Sequence, residues 1–282
     1  MSAGERIRAG LELVRIGNLS MVGLSVLVGS GGMWPGGGFW RVALAMASAM
    51  LIAGGGNALN DVHDIEADRR NRPQRPLPSQ RLSLNTARAL GLILMSLGLA
   101  SGFIVSLVGG LVATAVAGLL WLYAARGKKM GFFGNILVAA ACGTAFVYGG
   151  LASGAIGISL YPAAFAFLMH LAREMVKDVQ DLEGDTMVGA RTTAMVWGRT
   201  RTLRTAAALL VFLILLTPWP YISRVYGLKY LIAVIGGVDI ILGGLSHMLW
   251  RNPETADLPR ISLFLKIEML VGMMAVCLGV AP

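Results

Sequence analysis

Two stretches of the chain carry carboxylates at one repeated spacing. The first reads Asn57-Ala-Leu-Asn60-Asp61-Val-His-Asp64-Ile-Glu-Ala-Asp68 and the second Glu174-Met-Val-Lys-Asp178-Val-Gln-Asp181-Leu-Glu-Gly-Asp185. In each, a polar residue is followed by acids at +4, +7 and +11. At about 100° per residue these positions fall in a stripe roughly 60° wide, so helix running through each segment would put its acids on one face. Asp185, beyond the helix-weakening Gly184, is where the second helix is expected to give way to loop. Clustered carboxylates repel one another and are costly near a membrane unless a cation or a water-filled cavity compensates. Magnesium is the natural cation, because it takes hard oxygen ligands, keeps several waters and bridges one or two carboxylates to phosphate oxygens. Two facing clusters therefore suit a diphosphate held between metal ions; the alternative is a pair of ordinary solvated helix ends.

Cations follow the acids. The run Arg69-Arg-Asn-Arg72-Pro-Gln-Arg75-Pro-Leu-Pro-Ser79 is a stiff loop that cannot continue a helix and holds guanidiniums beside the first cluster. A second basic group, Tyr123-Ala-Ala-Arg126-Gly-Lys128-Lys129, leads to Asn135. Such groups bind phosphate oxygens and stabilise a leaving diphosphate, or serve as inner-face membrane anchors. His63, Glu66 and Glu183 point away from the acid stripes and read as solvated or structural. His170 lies one turn before the second cluster, at the edge of any cavity there or packed beside it, and His247 has no acidic companions.

The elements that must position these groups are set by composition. With 56% hydrophobic and 14% charged residues, the apolar residues gather into runs of the length a helix needs to cross about 30 Å of hydrocarbon. Nine runs are expected, near 13–32, 40–60, 84–104, 107–125, 133–153, 157–177, 204–222, 228–248 and 261–281. The first, flanked by Arg6, Arg8 and Arg15 and without a convincing cleavage site, reads as a retained helix. The +9 net charge follows membrane topology rather than nucleic acid: with the N-terminus in the cytoplasm, nearly every Lys and Arg except Arg41, Arg224 and Lys229 falls in or beside a cytoplasmic segment. Both acidic clusters are then cytoplasmic and the neutral C-terminus lies outside, in a multi-pass protein of the cell membrane. No linker divides the chain, so residues 1–282 are expected to form one domain. Gly29 to Gly38, around Trp34 and Pro35, reads as an outer turn, and most other glycines read as close helix packing. Cys142 and Cys277 lie in apolar runs and read as small core residues.

The pattern Asn60-Asp61-x-x-Asp64-x-x-x-Asp68 followed by Arg72-Pro-x-Arg75-Pro-Leu-Pro-Ser79, with Asp178-x-x-Asp181-x-x-x-Asp185 as its second copy, resembles the paired signatures of the UbiA superfamily of intramembrane prenyltransferases. The resemblance covers nearly the whole chain. Gln80 stands where a Gly is usual, and Thr193-Ala194 where Leu-Pro is common, departures that touch loop shape more than ligands. Leu13-Val-Arg15-Ile-Gly-Asn18, Gly134-Asn135 and Arg173-Glu174-x-x-Lys177-Asp178 are most similar to the archaeal digeranylgeranylglyceryl phosphate synthases of that superfamily.

The resemblance implies an all-α, polytopic bundle of nine transmembrane helices and a magnesium-dependent transfer of a geranylgeranyl group. The implied donor is geranylgeranyl diphosphate and the implied acceptor is the sn-2 hydroxyl of geranylgeranylglyceryl phosphate. Carried over by position, Asn57, Asp61 and Asp64 would bind one magnesium and Asp178 and Asp181 the other. Asp68 and Asp185 would orient basic residues or metal-bound water. Lys128, Arg72 and Lys177 would contact phosphate, with Tyr123 and Arg173 nearby, and Asn18 and Arg15 would meet a headgroup or simply end their helix. Asp61, Asp64, Asp178, Asp181 and Lys128 form the expected catalytic set. The 15 methionines supply adaptable packing for the isoprenoid among membrane lipids. An aromatic, quinone-precursor or haem acceptor on the same metal site is the nearest alternative. An ion-coupled transporter is more distant, since a transport pathway places its acids near the midplane rather than at one face beside Pro-Arg loops.

Overall fold

In a bilayer every backbone amide must find its partner within its own segment, and long apolar runs rich in Leu, Ala, Val and Gly do so as helices. The computed structural model describes residues 3–32, 38–126, 129–187 and 189–280, and contains no strand among them. Trp34 and Pro35 of the expected outer turn, Lys128, and the last two residues lie outside the described residues.

The helices are α1 (Ala3–Val14), α2 (Ile16–Gly29), α3 (Phe39–His63), α4 (Ile65–Asn71), α5 (Leu84–Val105), α6 (Leu107–Arg126), α7 (Phe132–Ser153), α8 (Ile156–Gln180), α9 (Leu182–Met187), α10 (Thr193–Trp197), α11 (Arg199–Leu216), α12 (Trp219–Ile222), α13 (Leu228–Val234), α14 (Ile240–Trp250) and α15 (Leu258–Val280). Eight segments among the described residues are long and apolar enough to span a membrane: α3, α5, α6, α7, α8, α11 with α12, α13 with α14, and α15. Each matches an expected run.

The first run is different. A continuous helix over 13–32 is replaced by α1 and α2, which meet at a 50° bend. Arg15 sits at the bend with φ 59° and ψ 60°, a left-handed conformation that a non-glycine residue adopts at a cost. At 14 residues α2 is about 21 Å long, short of the hydrocarbon thickness, so a ninth crossing requires the bent pair.

Small residues set the packing. A Cβ on Gly29 would overlap the Phe146 carbonyl, and one on Gly149 the Val26 carbonyl, so α2 and α7 touch backbone to backbone. Between α3 and α5, a Cβ on Gly55 would crowd the Gly91 carbonyl, and Ser48 Oγ donates to the Gly98 carbonyl at 2.7 Å. The largest buried cluster lies among α8, α11, α13, α14 and α15, with Met175, Leu203, Leu210, Leu242 and Leu265 at its centre. A smaller one, Leu13, Ala58, Val62, Leu77 and Ala87, pins the Pro-rich loop against α1, α3 and α5 through Leu77.

Pro162 lies inside α8 and cannot donate to the Ile158 carbonyl one turn earlier. The Tyr226 hydroxyl donates to that carbonyl at 3.0 Å, from the turn before α13. Between α13 and α14 the chain forms a π turn, Ile235–Asp239, and Asp239 Oδ2 accepts from Thr217 Oγ1 at 2.9 Å. Cys277 is exposed on α15, which corrects its reading as a core residue, and Cys142 is half-buried.

Removing the Tyr226 hydroxyl orphans the Ile158 carbonyl. Tyr226→Phe is expected to lower stability by about 1–3 kcal/mol in detergent-solubilised thermal unfolding, and Pro162→Ala, which restores an amide donor, to recover most of that loss in the double variant.

Candidate functional site

Both acidic segments begin as the ends of long helices that stop at the same motif position. Asp64 closes α3 with φ −89° and ψ 5°, and Asp181 closes α8 with φ −93° and ψ 5°. The continuous helix expected through each motif is thus bent at its second Asp. Hydrogen bonding carries on past the bend, with the amide of Asp68 on the Asp64 carbonyl at 2.8 Å and that of Asp185 on the Asp181 carbonyl at 3.0 Å. Asp185 consequently lies in helix α9 rather than in loop, and both Asp68 and Asp185 are buried.

The bends bring α4 and α9 against each other. Gly184 is the point of contact: a Cβ there would overlap the Asn71 side-chain amide, and that amide reaches the Asp181 carbonyl at 3.4 Å. Arg72 donates to Asp181 Oδ2 at 2.7 Å, and Arg70 to Glu183 at 2.7 Å. Each pair joins a residue of the first copy to one of the second, so the two motifs share one end of the bundle.

Guanidiniums hold the first motif. Asp61 is 3% exposed, and its Oδ1 accepts from Arg15 and, at 3.2 Å, from Arg75. Arg75 also donates to Asp68 Oδ2 at 2.6 Å, bridging two acids of one motif. Burial, together with the facing Arg15, pulls Arg75 below the usual arginine value, yet it remains a cation at any working pH. Asn57 receives Arg15 at 3.4 Å and donates to the Val14 carbonyl at 3.0 Å, which fixes the bend between α1 and α2 beside the first motif. Asp64 accepts from Asn60 at 2.8 Å.

In the second motif Asp178 is held by neutral donors. Asp178 Oδ2 receives Asn135 at 2.9 Å and the Thr193 amide at 3.1 Å, while Asn135 also donates to Thr193 Oγ1 at 2.9 Å. Thr193 is fully buried, so its departure from the common Leu-Pro does more than shape the loop. Lys177 grips both oxygens of Glu174 at 2.8 and 2.9 Å.

One cavity joins these groups to the bundle interior. Asn18, Asn57, Asp64, Asp68, Arg72, Tyr123, Arg173, Lys177, Asp178, Asp181 and Asp185 all line it, so the expected site residues converge. Asp61 stands just behind the wall under its two guanidiniums, and Lys128 is outside the described residues. Away from the acids the walls become apolar, with Met21, Met169, Met269 and Met273 among them, and Thr217 and Tyr230 also contribute. His170 lines the cavity, whereas His63 is exposed and bonded to the Leu59 carbonyl at 2.8 Å. Glu66 and Glu183 are exposed and ion-paired, as their placement off the acid stripes implied.

Lys266 and Glu268 of α15 line the same cavity and were missed from sequence. Their only local signal is charge inside an apolar run. Lys266 donates to Asn18 Oδ1 at 2.8 Å, and Glu268 is buried with Oε2 unpartnered.

Among the described residues no three carboxylate, imidazole or thiol side chains converge tightly enough to hold a metal alone. The donors are all oxygens, a set that suits a hard cation completed by water and phosphate oxygens. The chemistry available is therefore anion capture at a charged mouth above an apolar chamber.

The profile of the UbiA prenyltransferase family matches residues 19–267. The digeranylgeranylglyceryl phosphate synthase of Saccharolobus solfataricus is 34% identical over 284 residues, covering 98% of this chain and 98% of that protein. The enzyme of the same name from Methanosphaera stadtmanae is 33% identical over 240 residues, covering 85% and 88%. A solved structure concerned with digeranylgeranylglyceryl phosphate synthase in membranes superimposes with a TM-score of 0.77 at 31% identity, covering 98% of this chain and 99% of that one. A UbiA homologue from Archaeoglobus fulgidus, solved with GPP and Mg2+, shares the fold with a TM-score of 0.70 at 18% identity, covering 95% and 99%.

Arg75 is the brace of the first motif. Arg75→Met should leave Asp61 and Asp68 without their shared cation and lower stability by about 3 kcal/mol, measured by thermal unfolding, and adding Asp68→Asn should recover part of it by removing one of the two charges.

Proposed function

Since the chain belongs to the UbiA prenyltransferase family and is a multi-pass membrane prenyltransferase, we propose that it transfers a geranylgeranyl group from geranylgeranyl diphosphate to the sn-2 hydroxyl of geranylgeranylglyceryl phosphate, a step of archaeal ether-lipid synthesis. The observation that carries this reading is the single cavity with both acidic motifs at its charged mouth and an apolar, methionine-lined interior. That pairing fits a substrate with a diphosphate head and an isoprenoid tail. The relatives' shared name supplies the acceptor.

Asn57, Asp61 and Asp64 are proposed to hold one magnesium, and Asp178 and Asp181 the other. Magnesium, when bound, neutralises charge building on the departing diphosphate. Arg72, held by Asp181 at the mouth between the motifs, adds positive charge beside the departing diphosphate. Asn135 and Thr193 keep Asp178 in one rotamer, so the second motif meets its ligand already oriented. The apolar walls exclude water from the allylic carbon, which water would otherwise capture. As the allylic C–O bond to the diphosphate breaks, the acceptor oxygen forms the ether bond, and its proton leaves with the released diphosphate. Asp68 and Asp185 orient the loop cations. Lys177 and Tyr123 border the phosphates. The positive-inside pattern supports a cytoplasmic side for the mouth, the N-terminus and the basic loops.

The test is to incubate purified protein with labelled geranylgeranyl diphosphate, geranylgeranylglyceryl phosphate and magnesium. A diether phosphate product that disappears with EDTA is expected. Asp61→Asn and Asp178→Asn should each lower turnover by about a hundredfold or more without loss of helicity by circular dichroism. Transfer to an aromatic acceptor offered in parallel, with no ether product, would keep the metal site and replace the acceptor.

A further inference from the structure

Lysine inside a membrane-spanning helix is costly and marks a site when it faces a cavity. Lys266 lies on α15, lines the cavity, and has Asn18 as its polar partner among the described residues. Across from it, Arg173 of α8 donates Nε to the Ser262 carbonyl of α15 at 3.2 Å, which ties the two helices together at this level. Its guanidinium approaches one carboxylate, Glu174, at 3.7 Å, and that carboxylate is already gripped on both oxygens by Lys177. Ser262 precedes Lys266 by about one turn of α15, and both Arg173 and Lys266 line the cavity. With Glu268 of α15 counted beside Glu174, three cations stand against two carboxylates on this wall, which keeps a net positive charge through the side chains of Arg173 and Lys266.

Those two charges lie apart from the diphosphate mouth. Arg173 precedes Asp178 by more than a helical turn, towards the bundle interior, and α15 carries neither motif. At the mouth the guanidiniums of Arg15, Arg72 and Arg75 are each engaged by a motif acid. No acid does this for Lys266 among the described residues. The positive charge left over suits a phosphate monoester, and the nearby Asn18 amide offers a further donor.

We propose that Lys266, Arg173 and Asn18 form a second phosphate subsite, between α15, α8 and α2, which binds the headgroup of the acceptor and selects phosphorylated acceptors over neutral ones. This deepens the reading above and rests on it. The subsite keeps the acceptor phosphate off the metal-binding acids, so two anionic substrates occupy one cavity without competing for its cations. Lys266 is a specificity residue in this arrangement, acting on binding of the acceptor and not on departure of the diphosphate.

The experiment compares wild type, Lys266→Met, Lys266→Gln and Lys266→Arg with geranylgeranyl diphosphate as donor, and with the phosphorylated acceptor or its dephosphorylated alcohol. Lys266→Gln keeps a hydrogen bond to Asn18 without the charge, which guards against a folding defect. The neutral variants should raise the acceptor KM by about tenfold or more, leave the donor KM within about twofold and shrink the preference for the phosphorylated acceptor. Lys266→Arg should retain most of the wild-type preference. An unchanged acceptor KM in Lys266→Gln, or a rise in the donor KM in its place, overturns the subsite while the wild-type ether product leaves the general reading standing. If wild type makes no ether from the phosphorylated acceptor, the general reading falls, and the subsite with it.

Discussion

Like charges packed at the end of a buried helix must be held apart, and in this chain the arginines do it. The Asp61 carboxylate is shared by Arg15 and Arg75, Arg75 also reaches Asp68, and Arg72 crosses to Asp181 of the other copy. Each guanidinium reaches its acid from a different segment: the bend between α1 and α2, the turn after α4, and the Pro-rich loop. The position of α1, the course of the loop and the contact between α4 and α9 all follow from this set of ion pairs. Buried pairs of this kind contribute little net stability against an apolar alternative, but breaking one is expensive, so they impose an arrangement more than they strengthen it.

Much of this was readable from spacing. The acids at +4, +7 and +11 are bound to lie near one another on any helical path, and the structure brings them to one end of the bundle with their cavity neighbours Asn57, Tyr123, Arg173 and Lys177. Hydrophobic run length located the eight long apolar segments among the described residues, because an apolar helix has nowhere else to go, but it gave the first run as one continuous helix where the chain forms a bent pair. Periodicity did not reveal the bend at Asp64 and Asp181. That bend goes with packing between α4 and α9, with Gly184 against Asn71, a contact between residues more than a hundred positions apart. The break at Arg15 was hidden for the same reason: its side chain is drawn to Asn57 and Asp61, and a local helix propensity carries no trace of that pull.

Two departures from the family pattern turned out differently. Thr193 makes a buried bridge to Asn135 and orients Asp178, a role that a single motif residue cannot announce. Gln80 remains a matter of loop shape: its φ is 59°, a conformation that suits glycine, and the chain keeps it while Leu77 three residues earlier anchors the loop in the interior. Lys266 escaped notice because a lone lysine in an apolar run is easily read as a helix-end anchor. Its significance depends on Arg173, which comes from another helix, α8, and bonds to α15 one turn away.

The backbone contact between α2 and α7 also bears on how the cavity is gauged. Side chains can yield by changing rotamer, but carbonyl groups pressed onto glycine Cα atoms have no such freedom, so the spacing of these two helices near Gly29 and Gly149 is as stiff as the peptide unit itself. Met21, Val22 and Ser25 on one helix, and Val138, Cys142 and Ala145 on the other, line the cavity from this fixed frame. Where these two helices form its wall, the chamber therefore behaves as a slot of set calibre. Thr217 and Tyr230, tied by the Tyr230 hydroxyl on the Thr217 carbonyl at 2.7 Å, line the same chamber, so on the proposed reading variation in isoprenoid length must be met by walls other than the α2–α7 pair.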